Sequence, residues 1–450
     1  MLLCAEYVLP ITAKPIENGA VLVRDGRIID IGTSQMMRMR YADEEVRDFG
    51  QAALLPGFVN VHTHLEYTAM RGIVHDVPYA TWLIAVNEKT ARMSQEDLYD
   101  SAVLGGLEAL SSGVTCLADI TPTGHTVRAL KNLGLRGVVY REIQAMDKHR
   151  VDFAMNQGIK EIESWQEDYA DDRLAIGIAP AALYECHPSI FGKISAYAGD
   201  RVPVALHVAG SREEYSFIRS GKSAFAVDEM GDKRGYVEVP PWLPTGATPI
   251  NYALNWGAFE AGKVLAVHAV HVDDDDIAQL RKHDVSIAHC PRCNAQLGMG
   301  FAPIDQYLKL GMRVGLGTDS PAATDASDML MEMRTSLYLQ RATSKERFIP
   351  AYTMLEVATM GGARALHMDD RIGSLDIGKQ ADIIAIDLSS SHQTPTNNPM
   401  AAVVNTCTGT EVLMTMVAGD ILYEQNKWHV RADVATSIAH VIEMRSKLRA

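Results

Sequence analysis

Several things are scarce in this chain, and each scarcity excludes something. Its six cysteines (Cys4, Cys116, Cys186, Cys290, Cys293 and Cys407) are few for 450 residues, and four of them are well separated. That rules out a disulfide scaffold and reads as reduced thiols in the cytoplasm. No apolar run approaches the roughly 18 residues of a membrane span. The start, MLLCAEYVLPITAKP, has no basic leader region and no clear cleavage site. Positive charge is short as well. Lys and Arg total 42 against 56 Asp and Glu, a formal charge of -14. Phosphate backbones and anionic membranes both demand clustered Lys and Arg, so nucleic acid and membrane surfaces are poor partners. No sequence repeat or low-complexity tract is evident.

What remains is globular. Apolar residues make up 47% and charged residues 22%, enough for a large core in a soluble protein. At about 150 residues per domain the length suggests about three domains, but a barrel plus one small domain fits equally well. Both ends read as β structure. Ala20 to Val23, Asp25-Gly26 and Arg27 to Ile31 form a hairpin signature, because Asp-Gly supplies the positive φ angles of a tight turn. Near the other end, Ala381 to Asp387 reads as a strand, and Val412 to Tyr423 as a second hairpin about Ala418-Gly419-Asp420. One small sheet domain assembled from residues 1–56 and 368–450 follows.

The middle, 57–367, alternates short apolar runs with amphipathic stretches. The runs are Phe58–Val61, Val114–Ala118, Leu135–Tyr140, Leu174–Ile178, Val202–Leu206, Val264–Val267, Val285–Ala288 and Arg313–Leu316. Helical patterns such as Ser94–Leu110, Asp152–Tyr169 and Asp274–His283 lie between them. Continuous apolar runs are strands buried on both faces, and their alternation with helices implies a parallel sheet. Eight units point to an α/β fold of the (β/α)8 TIM-barrel kind, with an open doubly wound sheet as the alternative. The acids Asp273–Asp276 are expected to cap a helix rather than bind calcium. The proline- and glycine-rich segment from Gly231 to Pro249 reads as a long loop that borders a substrate.

Four of the runs end in a metal-ligating residue. Phe58–Val61 leads into His62-Thr63-His64, whose i and i+2 imidazoles face the same side of a strand. Val202–Leu206 ends in His207, Val264–Val267 in His268, and Arg313–Leu316 leads through Gly317-Thr318 to Asp319. In a barrel the C-terminal strand ends converge on one mouth. Each residue alone is commonplace, but imidazoles and a carboxylate in this order suit Zn2+, with Fe2+ as the other candidate. Two rival motifs carry less. Cys290-Pro291-Arg292-Cys293 is a C-x-x-C without a second pair, and His64-Leu65-Glu66 lacks the P-C-x-x-C partner of small zinc nucleobase deaminases.

Pro56-Gly57-Phe58-Val59-Asn60-Val61-His62-Thr63-His64-Leu65 resembles the first-strand signature of the amidohydrolase superfamily. The resemblance continues through His207, Val267-His268, His289-Cys290-Pro291-Arg292-Cys293-Asn294, Gly315-Leu316-Gly317-Thr318-Asp319-Ser320, Ile372-Gly373-Ser374-Leu375 and Gly378-Lys379-Gln380-Ala381-Asp382. It is similar to the cytosine-deaminase-like branch, which holds S-adenosylhomocysteine and methylthioadenosine deaminases, aminodeoxyfutalosine deaminases and triazine hydrolases. The resemblance implies a barrel flanked by a small β-sandwich, and a homodimer. It also implies one ion per subunit held by His62, His64, His207 and Asp319, since the fourth strand, Leu174 to Tyr184, carries no lysine to bridge two metals. Asp319 would act as general base and His268 would stabilise the oxygen or orient the water. Contacts to a small-molecule substrate are expected from Glu66 to Trp82, from Tyr184 to His187 and across 211–250, with Glu66, Trp82, His187 and His289 as candidate substrate-binding residues.

The chain departs from that pattern at Cys293, where the family usually has a serine, and, with more bearing on the chemistry, at Gly210. The branch carries a proton-shuttling glutamate three residues after the fifth-strand histidine, where this chain has Gly210. Glu213 and Glu214 lie nearby. The activity implied is hydrolytic deamination of an adenine-type nucleoside or related aminated heterocycle. The alternatives are a triazine-type hydrolase expelling chloride or an amine, and a metal-holding binding protein without catalysis.

Overall fold

The computed structural model describes residues 1–226, 239–344 and 348–449. Five strands open the chain: β1 Leu2–Val8, β2 Ile16–Arg24, β3 Arg27–Thr33, β4 Val46–Asp48 and β5 Ala52–Pro56. Eight more follow: β6 Phe58–Thr63, β7 Val114–Thr121, β8 Arg136–Ile143, β9 Leu174–Pro180, β10 Val204–Val208, β11 Val264–His268, β12 Ser286–His289 and β13 Val314–Leu316. The last four are β14 Ile383–Asp387, β15 Val412–Val417, β16 Asp420–Glu424 and β17 Lys427–Trp428.

Strands β6 to β13 form one sheet in chain order, with neighbours parallel throughout. This is the expected eight-stranded barrel. Its strands are apolar on both sides because alternate residues feed different clusters. Val59, Val61, Cys116, Ala118, Leu265 and Val267 pack in one, while Phe58, Leu117, Val264 and Ala266 pack in another. The seam between first and last strands is closed by side chains. Asn60 Nδ2 donates to Thr318 Oγ1 at 2.8 Å, and Asn60 Oδ1 accepts from Thr318 N at 3.0 Å. Gly315 permits the close approach, since a Cβ there would lie 2.5 Å from Val61 Cγ1.

Both termini build the second sheet, in the order β17-β16-β15-β14-β5-β1-β2-β3 with β4 added beside β1. The two expected hairpins are β2–β3 and β15–β16, both antiparallel. The sheet meets the base of the barrel through a buried ion pair. Arg136, the first residue of β8, donates through Nε to Asp382 Oδ2 at 2.8 Å and through Nη2 to Oδ1 at 3.1 Å. The remaining Asp382 acceptor capacity takes the Ala418 N–H at 2.8 Å.

After β17 the chain returns to the barrel. The helix Val434–Arg449 packs on the barrel helix Gln95–Ser111. Ser437 donates to Asp100 at 2.6 Å, His440 bonds Asp100 at 2.5 Å, and Lys447 pairs with Asp97. The acids at 273–276 do cap a helix: Asp273 and Asp276 exchange reciprocal bonds at the start of Asp274–Lys282. Part of the proline-rich segment, 231–238, lies outside the described residues, and 239–248 is loop leading into the helix Pro249–Asn255. Among the described residues no helix is long and apolar enough to cross a membrane. The six cysteines are buried thiols, unpaired in disulfides.

Candidate metal centre

The four strand ends bring their ligating residues together. His62, His64 and His207 form one group and His62, His268 and Asp319 another, with ligand atoms in each group all within 4.8 Å of one another. Ring centroids lie 4.8 Å apart for His62–His64 and 5.0 Å for His62–His207, and the His64 and His207 rings stack at 5.4 Å. His62 is 1% exposed and its Nε2 has no hydrogen-bond partner, with Asp319 Oδ1 3.8 Å away. A buried ring nitrogen without a partner is costly unless something else binds it. Burial and the neighbouring imidazoles push the pKa of both His62 and His207 well down, so these rings are neutral, as metal ligands must be. His64 Nδ1 sits 3.0 Å from the Ile120 carbonyl and donates to it, leaving Nε2 free for a metal. The donor set therefore fits zinc.

The backbone at this mouth is strained. Ala209, His268, Ala269 and Asp319 all have positive φ, at 53°, 75°, 44° and 57°. Non-glycine residues hold that conformation only where the surroundings impose it, and such positions gather at functional sites. At Asp319 the imposition is visible: its N–H donates to the His62 carbonyl at 3.0 Å, and its Oδ1 accepts from Ser320 N at 2.7 Å. Asp319 Oδ2 lies 3.9 Å from His268 Nε2. Asn294 Oδ1 fixes the other side of that ring, 2.9 Å from Nδ1.

The candidate substrate residues are placed differently from one another. Glu66 is 2% exposed and directs Oε1 to the hydroxyls of Thr121 and Thr123 at 2.6 and 2.7 Å, while Oε2 has no partner. His289 is fully buried beside His268 and the Phe301 ring, with neither nitrogen partnered, and burial lowers its pKa to about 3. Trp82 commits its indole N–H to the Ala322 carbonyl at 3.0 Å. His187 bonds Ser189 at 2.8 Å and meets the Trp242 ring edge-on at 4.7 Å.

Gly210 opens toward the site. A Cβ there would lie 3.2 Å from His268 Cδ2 and 3.1 Å from Met299 Cε. Glu214 does not replace the missing carboxylate in any free sense. Its two oxygens accept from Ala209 N at 2.9 Å and Gly210 N at 2.8 Å, and burial raises its pKa to about 7. Glu213 is partly exposed on the same helix turn, near His271.

Two further residues of the site are not among those the sequence singles out for a role. Asp119, at the end of β7, accepts from Thr63 Oγ1 at 2.8 Å and Leu65 N at 2.7 Å, bracketing His64. Its pKa rises to about 8, mainly from burial. Asn60, inside the quoted signature, ties the strand of His62 to that of Asp319. Its place in that signature, two residues before His62 on one strand, is the sequence signal that could have marked it.

A parallel barrel with imidazoles and a carboxylate at its C-terminal mouth defines a metal-dependent hydrolase of the barrel type. A profile of the amidohydrolase family matches residues 53–422, and the chain belongs to that family. It is 31% identical over 414 residues to the 5-methylthioadenosine/S-adenosylhomocysteine deaminase of Desulforamulus reducens, covering 90% of this chain and 89% of the relative. The enzyme of the same name from Desulforudis audaxviator is 31% identical over 425 residues, with 94% and 93% covered. Among solved structures, an adenosine deaminase of Xanthomonas campestris with bound zinc superposes with a TM-score of 0.86 at 26% identity, covering 100% of this chain and 98% of that one. The zinc complex of atrazine chlorohydrolase from Arthrobacter aurescens TC1 shares the fold, with a TM-score of 0.82 at 22% identity and 99% of each chain covered.

Proposed function

We propose that the chain is a zinc-dependent hydrolytic deaminase of an adenine-type nucleoside, in the class of aminodeoxyfutalosine, methylthioadenosine or S-adenosylhomocysteine, or of a related aminated heterocycle. The observation that carries it is the imidazole cluster with Asp319 at the barrel mouth, in a chain akin over nine-tenths of its length to deaminases. His62, His64, His207 and Asp319 would hold one ion, zinc in preference to Fe2+. When bound, such an ion supplies Lewis acidity and lowers the pKa of a coordinated water to about 7. Asp319 Oδ2, opposite the oxygen that holds Ser320 N, takes the proton of the attacking water. His268, oriented by Asn294, presents Nε2 to the oxygen that adds to the ring carbon. Asn60 and Asp119 keep the ligand-bearing strand ends in register. A cytoplasmic homodimer completes the reading.

Expulsion of ammonia needs a proton, and Gly210 offers none. That supports a second reading, a triazine-type hydrolase whose leaving group departs without protonation. Zinc-loaded protein incubated with adenosine, methylthioadenosine, S-adenosylhomocysteine, aminodeoxyfutalosine and a chlorotriazine decides between them. Ammonia from a nucleoside is the expected result. Chloride release with no ammonia from any aminopurine would install the second reading.

A further inference from the structure

Glu66 stands beside the metal centre and is held there by hydrogen bonds. It follows the ligand His64 by two residues, in the turn Leu65–Met70. Two successive residues at the end of β7 fix the pair. The Ile120 carbonyl accepts from His64 Nδ1 at 3.0 Å, and the Thr121 hydroxyl donates to Glu66 Oε1 at 2.6 Å. Thr123 Oγ1 adds a second bond to Oε1 at 2.7 Å, and the Thr126 N–H a third at 3.3 Å. Tyr67, the next residue, stacks its ring on the His64 imidazole at 5.6 Å. Three donors thus converge on one carboxylate oxygen and none on the other. Oε2 is enclosed, in a residue only 2% exposed, without a hydrogen-bond partner. Tying down the turn from Thr121 to Thr126 uses Oε1 alone, so the empty second oxygen serves nothing in the fold. An enclosed acceptor costs free energy unless something donates to it. The donor then comes from a bound molecule, and the molecule that reaches this place is the one that reaches the metal.

We propose that Glu66 is a specificity-determining residue whose Oε2 accepts a hydrogen bond from an O–H or N–H that the substrate keeps through the reaction. That donor is a sugar hydroxyl, or an amino group of the ring other than the departing one. The assignment rests on the reading of the chain as a hydrolase of a nucleoside or aminated heterocycle, and it narrows the substrates to those that carry such a donor. The acceptor is preorganised, because the bonds to Oε1 pin the carboxylate before any ligand arrives. A site built to receive one hydrogen-bond donor discriminates against a molecule that lacks it, since the buried acceptor is then left unpaired.

Calorimetry on the zinc-loaded full chain tests this with nucleosides that have no C6 amine to lose. They are inosine, its 2′-, 3′- and 5′-deoxy forms, and guanosine, which adds a ring amine. A hydrogen bond to a carboxylate is worth about tenfold or more in affinity. The expected result is one of two. A deoxy form that binds at least about tenfold more weakly than inosine assigns the donor to the sugar. Guanosine binding at least about tenfold more tightly assigns it to the ring. In Glu66→Gln that difference should shrink to about threefold or less. The Thr126 N–H can only donate, so the glutamine keeps its carbonyl oxygen where Oε1 was and sets its NH2 where Oε2 stood, a donor in place of an acceptor. Differences below about threefold across the whole panel would overturn the proposal and leave Oε2 to a water molecule alone. So would a preference that survives intact in Glu66→Gln, or failure of every nucleoside to bind. Loss of zinc from the variant would overturn it too, because Glu66 would then act through His64. Ammonia release from adenosine enters none of these comparisons, so a failed deaminase reading and a failed recognition role are told apart.

Discussion

Two buried polar clusters, one at each end of the barrel, are left in opposite states. At the base, Arg136 and Asp382 satisfy each other: two bonds join them, Arg136 Nη1 adds the Asp172 carbonyl at 2.9 Å, and Asp382 also takes the Ala418 N–H. At the mouth, His62 Nε2, both nitrogens of His289, Asn294 Nδ2 and Glu66 Oε2 are enclosed without partners. A satisfied buried pair fixes how two sheets meet. An unsatisfied cluster costs stability until a ligand completes it, so it marks where ligand belongs. Conservation of this division is a general property of such barrels, whose base serves stability and whose mouth serves chemistry.

The division between base and mouth fails if either end behaves like the other. Asp319→Asn should abolish turnover and leave the chain with far less than one zinc per subunit by metal analysis, with the fold intact by circular dichroism. Zinc should raise the melting temperature of the unmodified chain, because a ligand bound only to the folded state stabilises it. At the base the pattern inverts. Asp382→Ala leaves Arg136 buried and unpaired, which should cost about 3–5 kcal/mol in denaturant unfolding. Zinc content at saturating metal should hold, since Asp382 touches no ligand.

The same contrast explains what was legible in the residues. The eight strands and both terminal hairpins were readable because burial on two faces writes continuous apolar runs, and Asp25-Gly26 or Ala418-Gly419-Asp420 writes the turns. His62, His64, His207, His268 and Asp319 were readable because each ends such a run. Asp119 was not, since one acid at the end of β7 looks like any other until its bonds to Thr63 and Leu65 are seen. The base pair Arg136–Asp382 spans 246 residues, and no local pattern announces it.

Asn60 stands between the two ends, because its bonds are satisfied like those at the base and yet serve the mouth. Asn60→Ala removes both links to Thr318, and so loosens His62 against Asp319. A weakening of zinc affinity of about 10- to 100-fold is expected, the usual effect of losing a group that orients metal ligands. Competition with a chelator measures it. Stability of the metal-free chain should change by much less than in Asp382→Ala.

The smallest effect concerns the C-terminal helix, which bears on the mouth from outside. His440 lies between Asp100, 2.5 Å from Nδ1, and Asp97, 3.2 Å from Nε2. The bond to Asp100 is the main cause that raises its pKa above 6.5. A histidine whose pKa is higher folded than unfolded stabilises fully below the unfolded value, and that contribution is lost as pH rises through the folded one. The helix Val434–Arg449 should therefore grip Gln95–Ser111 more weakly as pH climbs above 6.5. Hydrogen exchange over 434–449, compared at pH 6 and pH 8.5 after correction for intrinsic rates, should show lower protection at the higher pH. His440→Gln should flatten the difference. Lys447 also pairs with Asp97, so the helix loosens rather than leaves. Because Gln95–Ser111 packs against the turn Leu65–Met70 that follows His64, unchanged protection would mean that the outer shell of the mouth is as firmly set as the base.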